Sequence, residues 1–220
     1  FLFESCMNPK NNNGATALVK AFETAGITKI FTLSGNHIMP VYDALFDSQI
    51  DLIHTRHEGA AVHMADAWAR LTGEVGIALV TGGPGHANAV SALYTASMAE
   101  SPVVLLSGHA PLAQLGKGAF QEMRQTDIAA PLTKASWACQ KTEDIGLDIA
   151  KAIRIAKSGR PGPVHLSLPT DILEIAQPQS APMPTVGSFD PEPVQPQDSD
   201  ISGILEKLRQ ASKPLVLAGP

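Results

Sequence analysis

The sequence has little cysteine and no long apolar run, and each shortage excludes a class of protein. Cys6 and Cys139 are the two cysteines in 220 residues, and neither has a second cysteine or a histidine at metal-ligand spacing. A disulfide scaffold and a cysteine-held zinc site are therefore excluded, and a cytoplasmic location fits best. No apolar run approaches the ~20 residues needed to span a bilayer, so no membrane contact is expected.

Charge is also scarce, because Lys, Arg, Asp and Glu make up 17% of the chain and leave a formal net charge of -5. Such a chain has no basic stripe with which to displace counterions from a phosphate backbone, so nucleic acid is not an expected partner. Hydrophobic residues make up 44%, which is typical of a globular protein and excludes disordered, collagen-like and coiled-coil classes.

Apolar runs of strand length alternate with segments of helical period, which is typical of a parallel sheet covered by helices. The predicted strands are 29–33, 51–55, 76–81, 102–107 and 163–168. The predicted helices are 14–25 with Asn13 as N-cap, 40–46, 58–71, 86–99 and 144–157. We expect an α/β fold, namely a doubly wound, mainly parallel six-stranded sheet with helices on both faces.

A change of composition predicts where this domain ends. Residues 1–12 are expected to be an N-terminal extension or a cloning remnant, and residues 13–176 a single domain. Residues 177–198 are predicted to be a linker, because six prolines fall between positions 177 and 196 and proline donates no backbone hydrogen bond. Helical spacing and then a strand-like run follow, so residues 199–220 are expected to begin a truncated second α/β domain.

Glu58 is the first candidate functional residue, since it lies where a predicted strand passes into the predicted helix 58–71. Helix N-termini favour anions, so a carboxylate at this position is commonly a capping group. Ligands of open α/β sheets also bind at the carboxyl ends of strands, so a binding role stays open beside capping. A zinc-protease motif is excluded, because the HExxH pattern needs a histidine where Ala61 stands.

Two loops add candidate binding residues. The loop at 81–88 places glycines between a strand and a helix, where backbone N–H groups are able to approach a ligand closely. It is not a dinucleotide fingerprint, because Asn88 stands at the third glycine position, so the loop alone leaves a generic nucleotide-binding domain open. Residues 118–122 lie in a long loop, which is more often functional than structural. Three histidines lie near strand ends, and each alone is expected to be structural: His37, His86 and His109.

Taken together, these segments resemble the pyrimidine-binding (PYR) domain of thiamine-diphosphate-dependent enzymes, the superfamily of acetolactate synthase and pyruvate oxidase. The resemblance covers residues 14–173 and continues into the start of the family's central domain at 213–220. The matching motifs are, in order, Arg56-His57-Glu58, Ala65-Asp66-Ala67-Trp68-Ala69-Arg70, Gly83-Pro84-Gly85 with Asn88, Phe120-Gln121-Glu122 and Gly159-Arg160-Pro161-Gly162-Pro163-Val164. On this resemblance, residues 13–176 are a thiamine-diphosphate pyrimidine-binding domain.

The resemblance implies roles for particular residues. Glu58 would hydrogen-bond a ring nitrogen of the cofactor's aminopyrimidine and stabilise the imino tautomer, which takes the proton from the thiazolium carbon so that this carbon attacks a carbonyl. The implied catalytic residues are Glu58, Gln121 and His37. The implied cofactor-binding residues are Glu58, Thr81, Gly83, Pro84, Gly85 and Asn88. The implied substrate-pocket residues are Asn36, His37, Phe120 and Gln121.

The family binds Mg²⁺ and diphosphate through a Gly-Asp-Gly motif in a separate domain, and these residues contain no such motif. The resemblance therefore implies thiamine diphosphate and Mg²⁺ as cofactors, no metal ligand within this stretch, and no activity for this stretch alone. FAD in the central domain stays open. Since the two halves of a site in this family come from different subunits, a homodimer or homotetramer is expected.

Phe120 and Gln121 stand where simple 2-keto acid decarboxylases have a histidine pair and acetolactate synthases have Phe-Gln-Glu. This favours an acetolactate synthase-like reaction, in which a small 2-keto acid is decarboxylated and joined to a second carbonyl compound. His37 matches a histidine that lines the active site of benzaldehyde lyase, which acts on aldehydes, so a benzaldehyde lyase-like reaction stays open. A 2-hydroxyacyl-CoA or oxalyl-CoA lyase type and a non-catalytic PYR module that needs a partner chain stay open as well.

Overall fold

The computed structural model describes residues 12–217, and its centre is a six-stranded sheet in which every neighbouring pair of strands is parallel. The strands are β1 (Lys29–Thr32), β2 (Asp51–His54), β3 (Gly76–Val80), β4 (Val103–His109), β5 (Ser136–Ala138) and β6 (Val164–Pro169). Their order across the sheet is β2-β1-β3-β4-β6-β5. The predicted α/β fold is thus confirmed, and the one strand without a predicted segment is β5, a three-residue strand at the sheet edge.

Helices cover both faces of this sheet. They are α1 (Gly14–Thr24), α2 (Met39–Leu45), α3 (Glu58–Thr72), α4 (Pro84–Met98), α5 (Gln125–Ala129), α6 (Ile145–Lys157), α7 (Thr170–Glu174) and α8 (Asp198–Gln210). Alternate residues of β3 point to opposite faces, so Ile77 and Leu79 pack with α1, α2 and α6, whereas Ala78 and Val80 pack with α3 and α4. None of these helices is long and apolar enough to cross a membrane.

Local sequence explains where these helices begin and end. Asn13 and Thr16 form a capping box at the start of α1, and Gly26 follows its end with a positive φ of 73°. Gly73, at φ 75°, ends α3 in the left-handed conformation. The helix α4 begins two residues before the predicted start, because Pro84 occupies its first turn and proline is preorganised for that position.

Part of the proline-rich segment packs on the domain. Phe189 is buried against α6, and Arg154 of α6 donates a hydrogen bond to the Ser188 carbonyl over 2.7 Å. The Lys157 Nζ to Asp190 Oδ1 distance is 2.6 Å. The 177–198 linker and the 199–220 domain start stay predictions: α8 is exposed along its whole length, and residues 213–217 are not in a strand. The N-terminal prediction falls almost wholly on residues 1–11, outside those described.

Candidate active site

The carboxyl ends of β1 and β3 lie side by side at a point where the chain leaves the sheet in two directions. The helix after β1 is α2, which packs with α1 on one face, and the helix after β3 is α4, which packs with α3 on the other. In open α/β sheets this arrangement opens a crevice in which ligands bind. Residues 34–37 and 81–85, which follow β1 and β3, border it.

Glu58 begins α3 after the neighbouring strand β2, and its carboxylate is not the cap of that helix. His57 caps α3, because its ring Nδ1 accepts the Gly59 N–H over 3.0 Å. The carboxylate of Glu58 turns instead toward α4, where its Oε2 accepts a hydrogen bond of 3.0 Å from Asn88 Nδ2. Its Oε1 has no hydrogen-bond partner among residues 12–217. The half-buried Glu58 carboxylate is thus held in place through Oε2, and Oε1 is left available for a ligand.

Two glycines let the loop at 81–88, called the glycine loop below, pass close to Glu58. A Cβ on Gly85 would lie 3.2 Å from Glu58 Oε1 and 2.7 Å from Thr81 Cγ2. A Cβ on Gly83 would lie 2.7 Å from the Cβ of Gln121, and Gly83 also has a positive φ of 59°. Both positions therefore need glycine, and the loop brings Thr81, Gly83, Gly85, Glu58 and Gln121 into one group.

The Glu122 carboxylate holds the loop that carries Phe120 and Gln121. It accepts the backbone N–H groups of Gly116, over 2.6 Å, and Ala119, over 3.1 Å. These hydrogen bonds, that of Gly116 first, lower the pKa of Glu122. Gln121 itself has a positive φ of 55°, which is uncommon for a residue with a side chain.

His37 connects this loop to the crevice. Its ring stacks on Phe120 with centroids 5.8 Å apart, and its Nδ1 lies 3.4 Å from the Thr81 hydroxyl. Burial lowers the pKa of His37, so its ring is neutral at physiological pH. Asn36, His37 and Phe120 line a cavity of about 520 Å³ next to the crevice. Three of the four predicted substrate-pocket residues thus share one cavity, and Gln121 contacts the glycine loop beside it.

The two remaining histidines near strand ends, His86 and His109, do not line this cavity. The His86 ring is fully buried, with its Nδ1 2.8 Å from the Ser107 hydroxyl and its centroid 4.5 Å from that of His165. His109 places its ring nitrogens against the carbonyls of Ala110 and Met123. Burial lowers the pKa of His86 to about 4, and the pKa of His165 is lowered well below its ordinary value for the same reason.

We expect these buried rings to make the domain sensitive to acid. The unfolded chain binds a proton at His86 near pH 6.5, whereas the folded chain binds it only near pH 4. The contribution of neutral His86 to the free energy of unfolding is therefore complete above pH 6.5. It is lost as the pH drops toward 4, which lowers the free energy of unfolding by about 3 kcal/mol from this group alone. Hydrogen exchange of the α4 and β4 segments in urea, at a series of pH values, measures this loss in the full-length protein.

The His86→Asn variant is the control, because asparagine keeps a polar group near Ser107 but does not titrate. Its unfolding free energy is expected to be lower at neutral pH and to depend less steeply on pH between about 6.5 and 4. An unchanged slope in the variant would mean that different groups cause the acid sensitivity.

Sequence reasoning missed Gln125, which is 1% exposed and lies behind the glycine loop. Its side chain accepts the Gly83 N–H over 2.9 Å. The surrounding residues have no clear helical or strand period, so no pattern marked this position as buried. Within residues 12–217 no cluster of three or more His, Cys, Asp or Glu side chains is arranged to hold a metal ion.

Comparison with known proteins agrees with this geometry. Residues 12–128 match the family described as "Thiamine pyrophosphate enzyme, N-terminal TPP binding domain". The acetolactate synthase large subunit of Parasynechococcus marenigrum is 38% identical over 220 residues, covering 96% of this chain and 35% of the relative. The acetolactate synthase isozyme 3 large subunit of Escherichia coli is 41% identical over 214 residues, covering 94% of this chain and 37% of the relative.

A third relative has a different name. The 2-hydroxyacyl-CoA lyase 2 of Danio rerio is 40% identical over 172 residues, covering 78% of this chain and 28% of the relative. The chain thus spans about a third of the length of the curated relatives it matches. It belongs to the thiamine pyrophosphate enzyme family, as its N-terminal cofactor-binding domain, and the predicted resemblance is confirmed.

The residues at the crevice fit the pyrimidine end of this cofactor. A flat heteroaromatic ring needs space against backbone, and Gly83 and Gly85 leave that space where a Cβ would crowd the group. A ring nitrogen needs a hydrogen-bonding partner, and Glu58 Oε1 is a carboxylate oxygen with none of its own among the described residues.

Proposed function

We propose that this chain provides the pyrimidine-binding half of the active site in an acetolactate synthase-like enzyme, which decarboxylates a small 2-keto acid and joins the product to a second carbonyl compound. The observation that carries the proposal is the Glu58 carboxylate, held by Asn88 through one oxygen and open at the other beside Gly85. The two acetolactate synthase relatives support the reaction class.

In this proposal Glu58 Oε1 holds and moves a proton at the ring nitrogen, and Asn88 keeps Oε2 engaged so that Oε1 is the oxygen presented. Thr81, Gly83, Pro84 and Gly85 form the wall against which the ring lies. The bound cofactor supplies the electron sink for cleaving or forming a carbon–carbon bond next to a carbonyl.

The substrate side of the proposed site is formed by the cavity of Asn36, His37 and Phe120. Phe120 is itself 66% exposed but stacks on the buried His37 ring and so shields that ring from water. The neutral His37 ring and the Gln121 amide are the polar groups available to orient a substrate carbonyl there.

The remaining features belong to the whole protein. We propose Mg²⁺ and diphosphate ligands in another domain, a homodimer or homotetramer, and no turnover by residues 1–220 alone. The match to an N-terminal domain, and relatives of which this chain covers about a third, support these assignments. FAD in the central domain and a cytoplasmic location stay predictions.

The test is the product formed by the full-length protein with thiamine diphosphate and Mg²⁺. Given pyruvate as the only 2-keto acid, the protein is expected to release carbon dioxide and a coupled hydroxy-keto acid in a 1:1 ratio. Free aldehyde as the main product would show that the protein decarboxylates the 2-keto acid without joining the product to a second carbonyl compound. No turnover of pyruvate, with thiamine diphosphate still bound, would refute the acetolactate synthase-like reaction but not the cofactor site.

A 2-hydroxyacyl-CoA lyase type is the second candidate, because the Danio rerio relative is 40% identical over 78% of this chain, against 41% over 94% for the Escherichia coli acetolactate synthase. The exposed Phe120 ring at the cavity favours it, since a longer substrate is able to extend past that ring. Cleavage of a 2-hydroxyacyl-CoA to an aldehyde and formyl-CoA, without turnover of pyruvate, would select this candidate.

A further inference from the structure

Gln125 joins three separate segments of the chain at the carboxyl edge of the sheet. Its Oε1 accepts the N–H of Gly83 in the glycine loop over 2.9 Å. Its Nε2 donates to the carbonyl of Gly108 at the end of β4, over 3.1 Å, and lies 3.0 Å from the hydroxyl of Ser167 in β6. The side chain comes from α5, four residues after Gln121, and is 1% exposed.

The partners of this amide determine its orientation. An N–H donor at Gly83 needs the amide oxygen, and a carbonyl acceptor at Gly108 needs the amide nitrogen, so the reverse orientation would lose both hydrogen bonds. Both donors and the acceptor of Gln125 are used in a buried setting, where an unpaired polar group is costly. The amide is therefore a fixed link between the loop and the sheet.

This link acts at Gly83, where the glycine loop passes into α4. Gly83 is the N-terminal cap position of α4, and no side chain caps that helix. Its backbone has φ 59° and ψ -116°, a conformation that is open to glycine but not to residues with a Cβ. The next residues along α4 place Gly85 beside Glu58 Oε1 and Asn88 on Glu58 Oε2. A shift of Gly83 would therefore move both groups that define the surroundings of Glu58.

We propose that Gln125 is a positioning residue of the cofactor site. It holds the glycine loop in place beside Glu58 and links that loop to the segment that carries Gln121. This inference rests on the proposed function, because the loop is taken to be the wall of the pyrimidine site. Gln125 touches neither the cofactor nor the substrate, and it acts through Gly83.

The first test replaces Gln125 by methionine, which has nearly the same length and no hydrogen-bonding amide, in the full-length protein. In the cofactor-free protein, the 81–88 segment is expected to exchange its amide hydrogens at least about tenfold faster, because the Gly83 N–H loses its partner. The Kd for thiamine diphosphate with Mg²⁺ is expected to rise at least about tenfold, measured by titration calorimetry.

Ser167→Ala is the matched control. It removes one partner of the same amide but leaves the bonds to Gly83 and Gly108 in place. Its thermal stability is expected to fall, while its exchange at 81–88 and its Kd stay within about twofold of wild type, since the loop keeps its link. If both variants lower stability and neither changes the Kd, Gln125 is only a structural residue and the proposal is wrong.

Gln125→Glu provides a second test if the methionine variant does not fold. The carboxylate keeps an acceptor for Gly83 but opposes the Gly108 carbonyl, whereas the protonated acid is able to donate to that carbonyl. The ratio of its Kd to that of wild type is therefore expected to fall as the pH is lowered from about 8 to about 6, because burial raises the pKa of a carboxyl. A ratio independent of pH would overturn the proposal.

The two measurements separate this inference from the proposed function. If wild-type protein does not bind thiamine diphosphate, the cofactor site is wrong, yet exchange at 81–88 still tests the link from Gln125 to the loop. If wild type binds and the Gln125→Met variant binds equally well with unchanged exchange, only the positioning role is refuted.

Discussion

Replacing Glu58 by glutamine in the full-length protein is expected to lower turnover by about 100-fold to 10,000-fold. Glutamine keeps an oxygen that is able to accept the Asn88 N–H, with its NH₂ group then turned toward the crevice. A group that neither takes up nor releases a proton would then stand where Oε1 stands in the native protein. Exchange of the proton on the cofactor's reactive carbon, followed by quenched flow and NMR, measures the effect directly.

The fold should tolerate this variant, because His57, and not Glu58, caps α3. Glu74→Gln is a suitable control, since it makes the same chemical change at an exposed position just past the opposite end of α3. Its turnover is expected to equal that of wild type. An unchanged proton-exchange rate in Glu58→Gln would show that Glu58 is not the group that handles the proton.

Replacing Gly83 by alanine is expected to weaken thiamine diphosphate binding at least about tenfold. A Cβ there would lie 2.7 Å from the Gln121 Cβ and 2.9 Å from the Gln121 carbonyl oxygen, so either the loop or the Gln121 turn must move. Because the loop also positions Gly85 against Glu58, that movement reaches the carboxylate. Titration calorimetry of the full-length variant with thiamine diphosphate and Mg²⁺ gives the change in Kd.

Gly118→Ala is the matched control for this variant. Gly118 also has a positive φ, of 73°, so alanine there also carries backbone strain, of about 1 kcal/mol. Nothing lies within 4 Å of its Cβ position, so the strain comes without a steric clash. Its Kd is expected to stay within about threefold of wild type, and equal losses in the two variants would show that strain alone explains the Gly83 result.

The elements that sequence reasoning located well are those with strong local signals. The Asn13 cap and the glycine after each end define α1 and α3, and the continuous apolar runs define β3, β4 and β6. Strand β5 had no such signal, because Trp137 and its neighbours are half-buried at the sheet edge and three residues show no period. Its pairing is decided by β6, which lies 26 residues further along the chain.

By itself the sequence determined the fold class, the family and the positions of Glu58 and of the loop at 81–88, because each depends on local patterns or on motifs in order. Only the tertiary structure decided what these residues do together. Glu58 does not cap its helix because the His57 ring already accepts the Gly59 N–H. The Glu58 carboxylate is oriented by Asn88, which lies in another helix 30 positions away. Gln125 became visible only once three distant segments converged on its amide, since contacts between distant parts of a chain follow from packing and leave no periodic trace in the sequence.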